Sequence, residues 1–176
     1  MSTDIDLKSY IREIPDFPKP GIRFKDIGPL LQSGEAFRRA IDELATICEK
    51  EDLRPQVCAC PEARGFIFGA ALAYRLGIGF VPIRKPGKLP SRTAHVEYAL
   101  EYGTDRVEVH IDAIEKGQRV LLVDDLLATG GTLGACADLV RASGATVAGV
   151  LFVIELTLLD GRKRLSDYPT FSLVRF

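Results

Sequence analysis

Two patterns of hydrophobic positions follow one another along this chain, one typical of helices and the other typical of buried strands. Apolar stripes at helical spacing predict helices over residues 35–50, 66–76 and 131–143. Short, nearly continuous apolar runs predict buried strands over residues 56–60, 79–84, 119–124, 146–154 and 171–175. The alternation of strand and helix is typical of an α/β fold with a mostly parallel sheet flanked by helices.

Less regular segments lie between these elements. The N-terminal pattern predicts a short amphipathic helix over residues 4–14, and the proline-rich stretch that follows it favours irregular structure. Residues 85–95 contain prolines and a glycine, so they are predicted to form a loop. The strands predicted over residues 96–102 and 106–110 would pair as an antiparallel flap, and a short helix is predicted near residues 158–166.

The apolar run that begins at Val120 leads into two acids and a glycine-rich turn, since residues 120–132 read VLLVDDLLATGGT. The turn can present backbone N–H groups and hydroxyls to a phosphate at a helix start, from Ala128, Thr129, Gly130, Gly131 and Thr132. Asp124 and Asp125 would repel a phosphate, so they are predicted to face ribose hydroxyls or a hydrated Mg²⁺. This order predicts an enzyme that handles a phosphorylated ribose.

A second turn with anion-binding chemistry follows the strand predicted over residues 56–60. It reads Glu62-Ala63-Arg64-Gly65 and comes directly before a predicted helix. Its backbone amides and the guanidinium of Arg64 can hold a second anion, since guanidinium binds phosphate oxygens in a bidentate manner. Ligands of parallel sheets bind at the carboxyl ends of the strands, and both turns are predicted to lie there.

Composition and charge narrow the class of protein. The chain has 176 residues, 47% of them hydrophobic, which predicts one domain with a sizeable core. A net charge of −1 gives no general surface for polyanions, so no nucleic acid partner is expected. No basic-then-apolar leader and no apolar run of about 20 residues is present, so we expect a cytoplasmic protein without a membrane partner. The four cysteines are predicted to be small buried thiols.

The phosphate turn resembles the phosphoribosyl-pyrophosphate (PRPP) signature of the type I phosphoribosyltransferases. Four further segments resemble the members of that family that act on adenine: residues 18–27 (PKPGIRFKDI), 62–66 (EARGF), 81–90 (VPIRKPGKLP) and 100–104 (LEYGT). The resemblance implies a purine salvage enzyme that transfers the 5-phosphoribosyl group of PRPP to N9 of adenine. The products would be AMP and pyrophosphate, and the cofactor would be Mg²⁺ held mainly by PRPP, with its contact to Asp124 either direct or through water.

The resemblance also implies roles for residues that the chain pattern alone leaves open. Glu101 would be the catalytic carboxylate, which accepts the purine N7 proton while N9 attacks the ribose. The turn after the strand predicted over residues 56–60 would bind pyrophosphate, with a cis peptide between Glu62 and Ala63. A mobile lid over residues 85–102 would close over the pyrophosphate. The residues that would bind pyrophosphate are Glu62, Ala63, Arg64, Arg84, Lys85 and Lys88. The sequence departs from the family pattern at Cys60-Pro61, where a smaller lead-in to the turn is expected.

Adenine would bind in a small N-terminal hood formed mainly by residues 1–33 with part of 155–170. Phe24 would stack on the purine, the backbone groups of Arg23 and Lys25 would recognise its edge, and Leu156 would cover the other face. The family resemblance further implies a homodimer of single-domain chains, each spanning residues 1–176.

Two other functions fit part of this pattern. One is a phosphoribosyltransferase for a 6-oxopurine, against which the hood segment argues by resemblance. The other is a regulator that senses PRPP without catalysis. Such a regulator would need an effector surface or a DNA-binding module, whereas the predicted catalytic domain takes up the 176 residues and contains no basic recognition helix.

Overall fold

A parallel sheet with helices on both faces forms the framework of the molecule, whose computed structural model describes residues 5–99 and 104–176. The strands are β1 (Arg12–Pro15), β2 (Arg23–Asp26), β3 (Val57–Pro61), β4 (Gly79–Ile83), β5 (Thr93–Ala99), β6 (Thr104–His110), β7 (Arg119–Leu127), β8 (Thr146–Glu155) and β9 (Thr170–Arg175). The α-helices are α1 (Gly28–Gln32), α2 (Gly34–Lys50), α3 (Arg64–Leu76) and α4 (Gly131–Ala142). The predicted α/β class with a mostly parallel sheet is confirmed.

The strand order of the sheet places a ligand crevice between two particular strands. The order is β4-β3-β7-β8-β9, and all four pairings are parallel. From β3 the chain passes through α3 to one edge, whereas from β7 it passes through α4 towards the other edge. The two connections diverge where β3 and β7 lie side by side, and the carboxyl ends of strands at such a point form a binding crevice.

Alternate residues of the central strands fill two hydrophobic clusters, one on each face of the sheet. Leu121 and Val123 of β7 pack in the cluster that includes residues of α2 and α3. Val120 and Leu122 point the other way, into the cluster formed with α4 and with strands β5 and β6. This two-sided burial explains the continuous apolar run of β7, since neither of its faces meets solvent.

The prediction of an N-terminal helix over residues 4–14 is wrong. The structure has a single 3-10 turn at Leu7–Tyr10, and β1 follows it. β1 pairs antiparallel with β2, and Glu13 lies opposite Lys25. The helical spacing of apolar residues was a weaker determinant here than strand pairing, which satisfies the backbone groups of this short segment.

Other boundaries differ from the prediction at functional positions. β7 extends to Leu127 rather than ending at residue 124, so both aspartates belong to the strand. β5 and β6 form the predicted antiparallel pair, but β5 begins at Thr93, within the segment predicted as a loop, and residues 100–102 of the predicted strand lie outside the described residues. The helix expected near residues 158–166 is two 3-10 turns, Thr157–Leu159 and Gly161–Leu165, separated by Asp160 with φ of +56°. The short helix α1 was not predicted.

The prediction that the cysteines are small buried thiols is confirmed. All four cysteines are buried and free, and the Sγ atoms of Cys58 and Cys60 lie 3.6 Å apart on β3. Burial raises the pKa of the Cys48 thiol to about 12, so this thiol stays protonated. Over residues 5–99 and 104–176, none of the helices combines the length and the apolar character that a membrane span requires.

Candidate active site

The turn after β3 is held by its own glutamate. The Glu62–Ala63 peptide bond is cis, as expected for this turn. The Glu62 carboxylate accepts hydrogen bonds from the Lys85 backbone N–H and from Nε of Arg84, both at 2.8 Å. Burial opposes ionisation of this carboxyl, but these two donors outweigh it and lower its pKa. The charged glutamate therefore fastens the segment after β4 to the turn after β3.

Arg64, the first residue of α3, joins three parts of the structure. Its Nε lies 2.9 Å from Oδ2 of Asp125, which stands near the end of β7. Its guanidinium carbon lies 5.2 Å from the centroid of the Phe24 ring on β2. A guanidinium at this distance from an aromatic face is favourably placed for a cation–π interaction. Arg64 therefore links the β3 turn to the aspartate pair and to the N-terminal hairpin.

Asp124 and Asp125 are consecutive residues of β7 and lie beside the start of α3. Asp125 is buried, and the Asp124 Oδ1 accepts a hydrogen bond of 2.9 Å from the Asp125 backbone N–H. A Cβ on Gly65 would lie 2.9 Å from the Asp124 Oδ1, so glycine is required where α3 approaches β7. Burial, reinforced by the neighbouring aspartate, raises the pKa of Asp124 well above its ordinary value. Burial also raises the pKa of Asp125, although Arg64 opposes the shift.

The chemistry of this aspartate pair fits a magnesium ion. The Oδ2 of Asp125 is buried and, apart from its ion pair with Arg64, has no hydrogen-bond partner. Two adjacent carboxylates with raised pKa values favour a nearby cation, and carboxylate oxygens are the ligands that Mg²⁺ prefers. Within the described ranges, no three His, Cys, Asp or Glu side chains form a metal cage. Mg²⁺ is commonly held by one or two carboxylates together with phosphates and water, and this pair could supply the carboxylates.

The loop between β7 and α4 has the geometry of a phosphate cradle. Gly130 precedes α4 with φ of +78°, and a Cβ there would lie 2.5 Å from the carbonyl oxygen of Gly161. No side chain of this N-cap residue occupies the first N–H groups of α4, which carry the positive end of the helix dipole. Ala128, Thr129, Gly131 and Thr132 line a cavity of about 80 Å³ together with Asp124.

The cations expected in the lid are not equally placed. Arg84 pairs with Glu62 at 2.8 Å, and Lys88 is exposed. Lys85 pairs through Nζ with Asp105 of β6, and its Nζ lies 3.2 Å from the hydroxyl oxygen of Tyr98 on β5. Burial opposes protonation of Lys85, but the bonds to Asp105 and Tyr98 outweigh it and raise its pKa. The cation of Lys85 is therefore held by the β5–β6 hairpin.

The comparisons with known proteins agree with this architecture. A family model described as phosphoribosyl transferase domain matches residues 30–173. An adenine phosphoribosyltransferase from Caldanaerobacter subterraneus subsp. tengcongensis is 58% identical over 97% of this chain and 98% of its own length. The chain belongs to the adenine phosphoribosyltransferase family. Together with the sheet and the two turns, this match confirms the type I phosphoribosyltransferase fold that the sequence predicted.

Solved structures of the family share the fold along almost the whole chain. The adenine phosphoribosyltransferase of Thermoanaerobacter pseudethanolicus superposes with a TM-score of 0.93 at 58% identity, covering 97% of this chain and 98% of that one. The Saccharomyces cerevisiae enzyme superposes with a TM-score of 0.91 at 39% identity, covering 95% of this chain and 96% of that one. The yeast structure is a complex with D-2,5-dideoxy-2,5-imino-altritol 1,6-bisphosphate and adenine.

The residues expected to bind adenine in this phosphoribosyltransferase have different surroundings. Phe24 is half-buried and lies outside both buried clusters of the described residues, with the Phe17 ring edge-on at 5.2 Å. Leu156 is half-buried, packs on the α2–α3 side of the core and donates its backbone N–H to the Leu127 carbonyl at 2.9 Å. Phe24 is therefore a partly accessible ring beside Arg64, and Leu156 is anchored to the end of β7.

Arg23 and Lys25 point their side chains at the same glutamate of β1. Arg23 is exposed and pairs with Glu13 at 2.9 Å. Lys25 is buried, pairs with Glu13 and lies with its Nζ 3.9 Å from the centroid of the Phe176 ring. The Arg23 side chain thus supports the hairpin, and the Lys25 side chain also links the hairpin to Phe176.

The catalytic carboxylate expected from the resemblance, Glu101, lies outside the described residues, as do residues 100–102 of the lid. The structure adds residues that the sequence analysis missed, namely Tyr98, Asp105 and Arg164. Tyr98 and Asp105 are cross-strand partners in the flap, so their contact follows from a register that the sequence did not specify. Arg164 lies beside Gly131 through a tertiary contact for which we find no sequence signal.

Proposed function

We propose that this chain transfers the 5-phosphoribosyl group from PRPP to N9 of adenine, giving AMP and pyrophosphate. The observation that carries the proposal is the position of two anion-binding turns at the ends of adjacent strands, with Arg64 of the β3 turn paired to Asp125 and placed beside Phe24. The turns are separate, as the 5′-phosphate and the pyrophosphate of PRPP are. The adenine in the related yeast complex supports the choice of base.

Each turn takes one end of PRPP in this proposal. The loop of Ala128, Thr129, Gly130, Gly131 and Thr132 binds the 5′-phosphate through its N–H groups and hydroxyls. The aspartate pair, Asp124 and Asp125, accepts hydrogen bonds from the ribose hydroxyls. Pyrophosphate binds at the β3 turn and under the lid cations, with contributions from Glu62, Ala63, Arg64, Arg84, Lys85 and Lys88.

Asp124 would hold Mg²⁺, directly or through water, with Asp125 beside it. When bound, the ion neutralises charge that develops on the leaving pyrophosphate. Arg64 adds a fixed positive charge from the protein side. Lys85 and Lys88 add theirs when the lid closes, and closure also excludes water that would otherwise hydrolyse the activated ribose.

The base would be held against Phe24, with Leu156 on its opposite face and the backbones of Arg23 and Lys25 along its edge. N9 forms the new bond to ribose C1 as the bond from C1 to the pyrophosphate oxygen breaks. Glu101 accepts the N7 proton, so the neutral purine of AMP is produced. A backbone carbonyl at the base edge accepts from the 6-amino group of adenine and repels a 6-oxo group, which excludes hypoxanthine and guanine.

We further propose that the enzyme is a cytoplasmic homodimer of single-domain chains, without nucleic acid or membrane partners. In each chain, residues 1–33 with part of 155–170 act as the hood and residues 85–102 as the lid. Light scattering coupled to size-exclusion chromatography tests the dimer, because the chain mass is 19.3 kDa and a dimer doubles it. A mass equal to one chain at assay concentration would reject the dimer.

Pyrophosphate release tests the reaction directly. The purified chain is incubated with PRPP and Mg²⁺, separately with adenine, hypoxanthine, guanine and no base. Release with adenine alone is the expected result. Release with a 6-oxopurine would keep the PRPP site and overturn the role of the Arg23 and Lys25 backbones. PRPP binding without release under any condition would point to a sensor or to a different acceptor.

A further inference from the structure

Tyr98 lies between two parts of the site that bind different ends of PRPP. Its hydroxyl oxygen is 3.4 Å from Oγ1 of Thr132 in the phosphate loop. The same oxygen is 2.9 Å from Oδ2 of Asp105 and 3.2 Å from Nζ of Lys85, which also pairs with Asp105. One phenol thus contacts both the 5′-phosphate loop and a lid cation.

The direction of these hydrogen bonds follows from the protons available. The pKa of Asp105 is lowered, because the bonds from Lys85, from the Arg106 backbone N–H and from Tyr98 outweigh the effect of burial. The ionised carboxylate of Asp105 can only accept, so Tyr98 donates its single proton to it. The phenol oxygen then accepts from Lys85 and from Thr132, and the Thr132 proton is used on Tyr98.

A phosphate in the loop would compete for that proton. Phosphate oxygens at neutral pH mainly accept hydrogen bonds, and a threonine hydroxyl has one proton to donate. Thr132 therefore cannot donate to both Tyr98 and the 5′-phosphate. Binding of the phosphate removes the contact that ties Tyr98 to the loop.

The β5–β6 hairpin transmits this loss to Lys85. Tyr98 and Asp105 are directly opposite one another in the antiparallel register, so the two residues move together. Among the described residues near its turn, the hairpin forms side-chain hydrogen bonds or ion pairs to Thr132 and to Lys85. Because both attachments fix one body, releasing the first lowers the cost of releasing the second.

We propose that Tyr98 is a positioning residue that couples occupation of the 5′-phosphate loop to the release of Lys85 towards pyrophosphate. The inference rests on the proposed function, which assigns the loop to the 5′-phosphate and Lys85 to pyrophosphate. It requires a positive coupling between two ligands that do not touch the phenol themselves, and by linkage the coupling is the same in both directions.

Calorimetry with ribose 5-phosphate and pyrophosphate in the presence of Mg²⁺ measures the coupling. We expect saturating ribose 5-phosphate to tighten pyrophosphate binding about fivefold in the natural protein, which corresponds to about 1 kcal/mol. In Tyr98→Phe the factor should fall to about one, while each ligand alone still binds. If removal of the hydroxyl acted only through a general structural effect, each ligand alone would bind more weakly. The factor by which ribose 5-phosphate tightens pyrophosphate binding would then be unchanged.

Tyr168→Phe is the matched control, because Tyr168 lines the same cavity of about 290 Å³ as Tyr98. It should retain the fivefold factor. An undiminished factor in Tyr98→Phe, or a factor of one in the natural protein, would overturn the role of Tyr98 and leave the proposed function intact. Failure of the natural protein to bind either ligand would instead reject the PRPP site, and the inference with it.

Discussion

The strand-end turns and the covers of this site are held in different ways. At the strand ends, close packing fixes the backbone: a Cβ on Gly65 would meet Asp124, and a Cβ on Gly130 would meet the Gly161 carbonyl. The covers, which are the β1–β2 hairpin and the β5–β6 hairpin, combine hydrophobic contacts with ion pairs whose members are partly exposed. Examples are Arg12 with Asp26 at 2.5 Å, and Lys85 with Asp105.

Because of this difference, we expect the turns to supply the affinity for anions and the hairpins to supply the motion. Packed turns on a buried sheet can hold anions without rearranging, which is what electrostatic preorganisation needs. Exposed ion pairs contribute only about 0–1 kcal/mol each, so a ligand's binding energy can displace them. We therefore expect the anion turns to act as a fixed frame and the two hairpins to be the parts that close on the substrates.

The largest expected effect belongs to a cover. Glu101→Gln should lower kcat about a thousandfold, because the amide cannot accept the N7 proton and general base catalysis contributes about 10²- to 10⁴-fold. PRPP binding belongs to the frame and should stay nearly unchanged. Steady-state kinetics and a PRPP titration measure both quantities. Glu97→Gln, at an exposed position of β5, is the control and should behave as the natural enzyme. An unchanged kcat in Glu101→Gln would remove Glu101 as the proton acceptor.

The next effect concerns the bonds that Glu155 makes at the carboxyl end of β8. Glu155, buried at the end of β8, pairs with Arg162 at 2.5 Å and accepts from Ser172, and these bonds lower its pKa from 4.5 to about 2. A lowered pKa stabilises the fold fully above the unfolded value, and this contribution disappears as the pH falls from about 4.5 through about 2. The shift corresponds to about 3 kcal/mol at pH 7.

Urea unfolding of Glu155→Gln and of the natural protein measures this contribution. The free energies of unfolding should differ by up to about 3 kcal/mol at pH 7, and the difference should shrink steadily below pH 4. Glu115→Gln, at an exposed position, should change the free energy by less than about 0.5 kcal/mol. A difference between Glu155→Gln and the natural protein that does not depend on pH would mean that packing, rather than charge, is what Glu155 supplies.

The same division explains what the sequence could predict. The frame was predictable, because continuous apolar runs followed by acidic or glycine-rich turns mark buried parallel strands with ligands at their ends. The covers were predicted partly by resemblance and partly wrongly, as with the helix expected over residues 4–14. Their structure depends on tertiary pairings such as Glu13 with Lys25 and Tyr98 with Asp105. Local periodicity does not encode such pairings.

Arg64 lies where the frame meets a cover, so its substitution should affect both. Arg64→Ala should lower kcat/KM for PRPP about thirtyfold through the loss of charge-assisted bonds to pyrophosphate. Arg64→Lys should recover part of it, since lysine keeps the charge without the planar fork. Arg75→Ala, an exposed arginine of α3 that pairs with Asp42, should change kcat/KM less than twofold. Equal losses in Arg64→Ala and Arg64→Lys would show that the fork matters and the charge alone does not.

The smallest effect should be confined to the base. Phe24→Ala removes the ring proposed to stack on adenine, and a base–aromatic contact of this kind is worth about 1–3 kcal/mol. We expect the KM for adenine to rise about tenfold while the KM for PRPP changes less than twofold. Phe17→Leu keeps an apolar partner for the Phe24 ring, which Phe17 now meets edge-on at 5.2 Å, and should leave both constants nearly unchanged. Equal rises in both KM values for Phe24→Ala would mean that the ring supports the Arg64 guanidinium, 5.2 Å from its centroid, rather than the base. The β1–β2 hairpin would then be part of the frame, and the proposed division between a fixed frame and its covers would have to be redrawn.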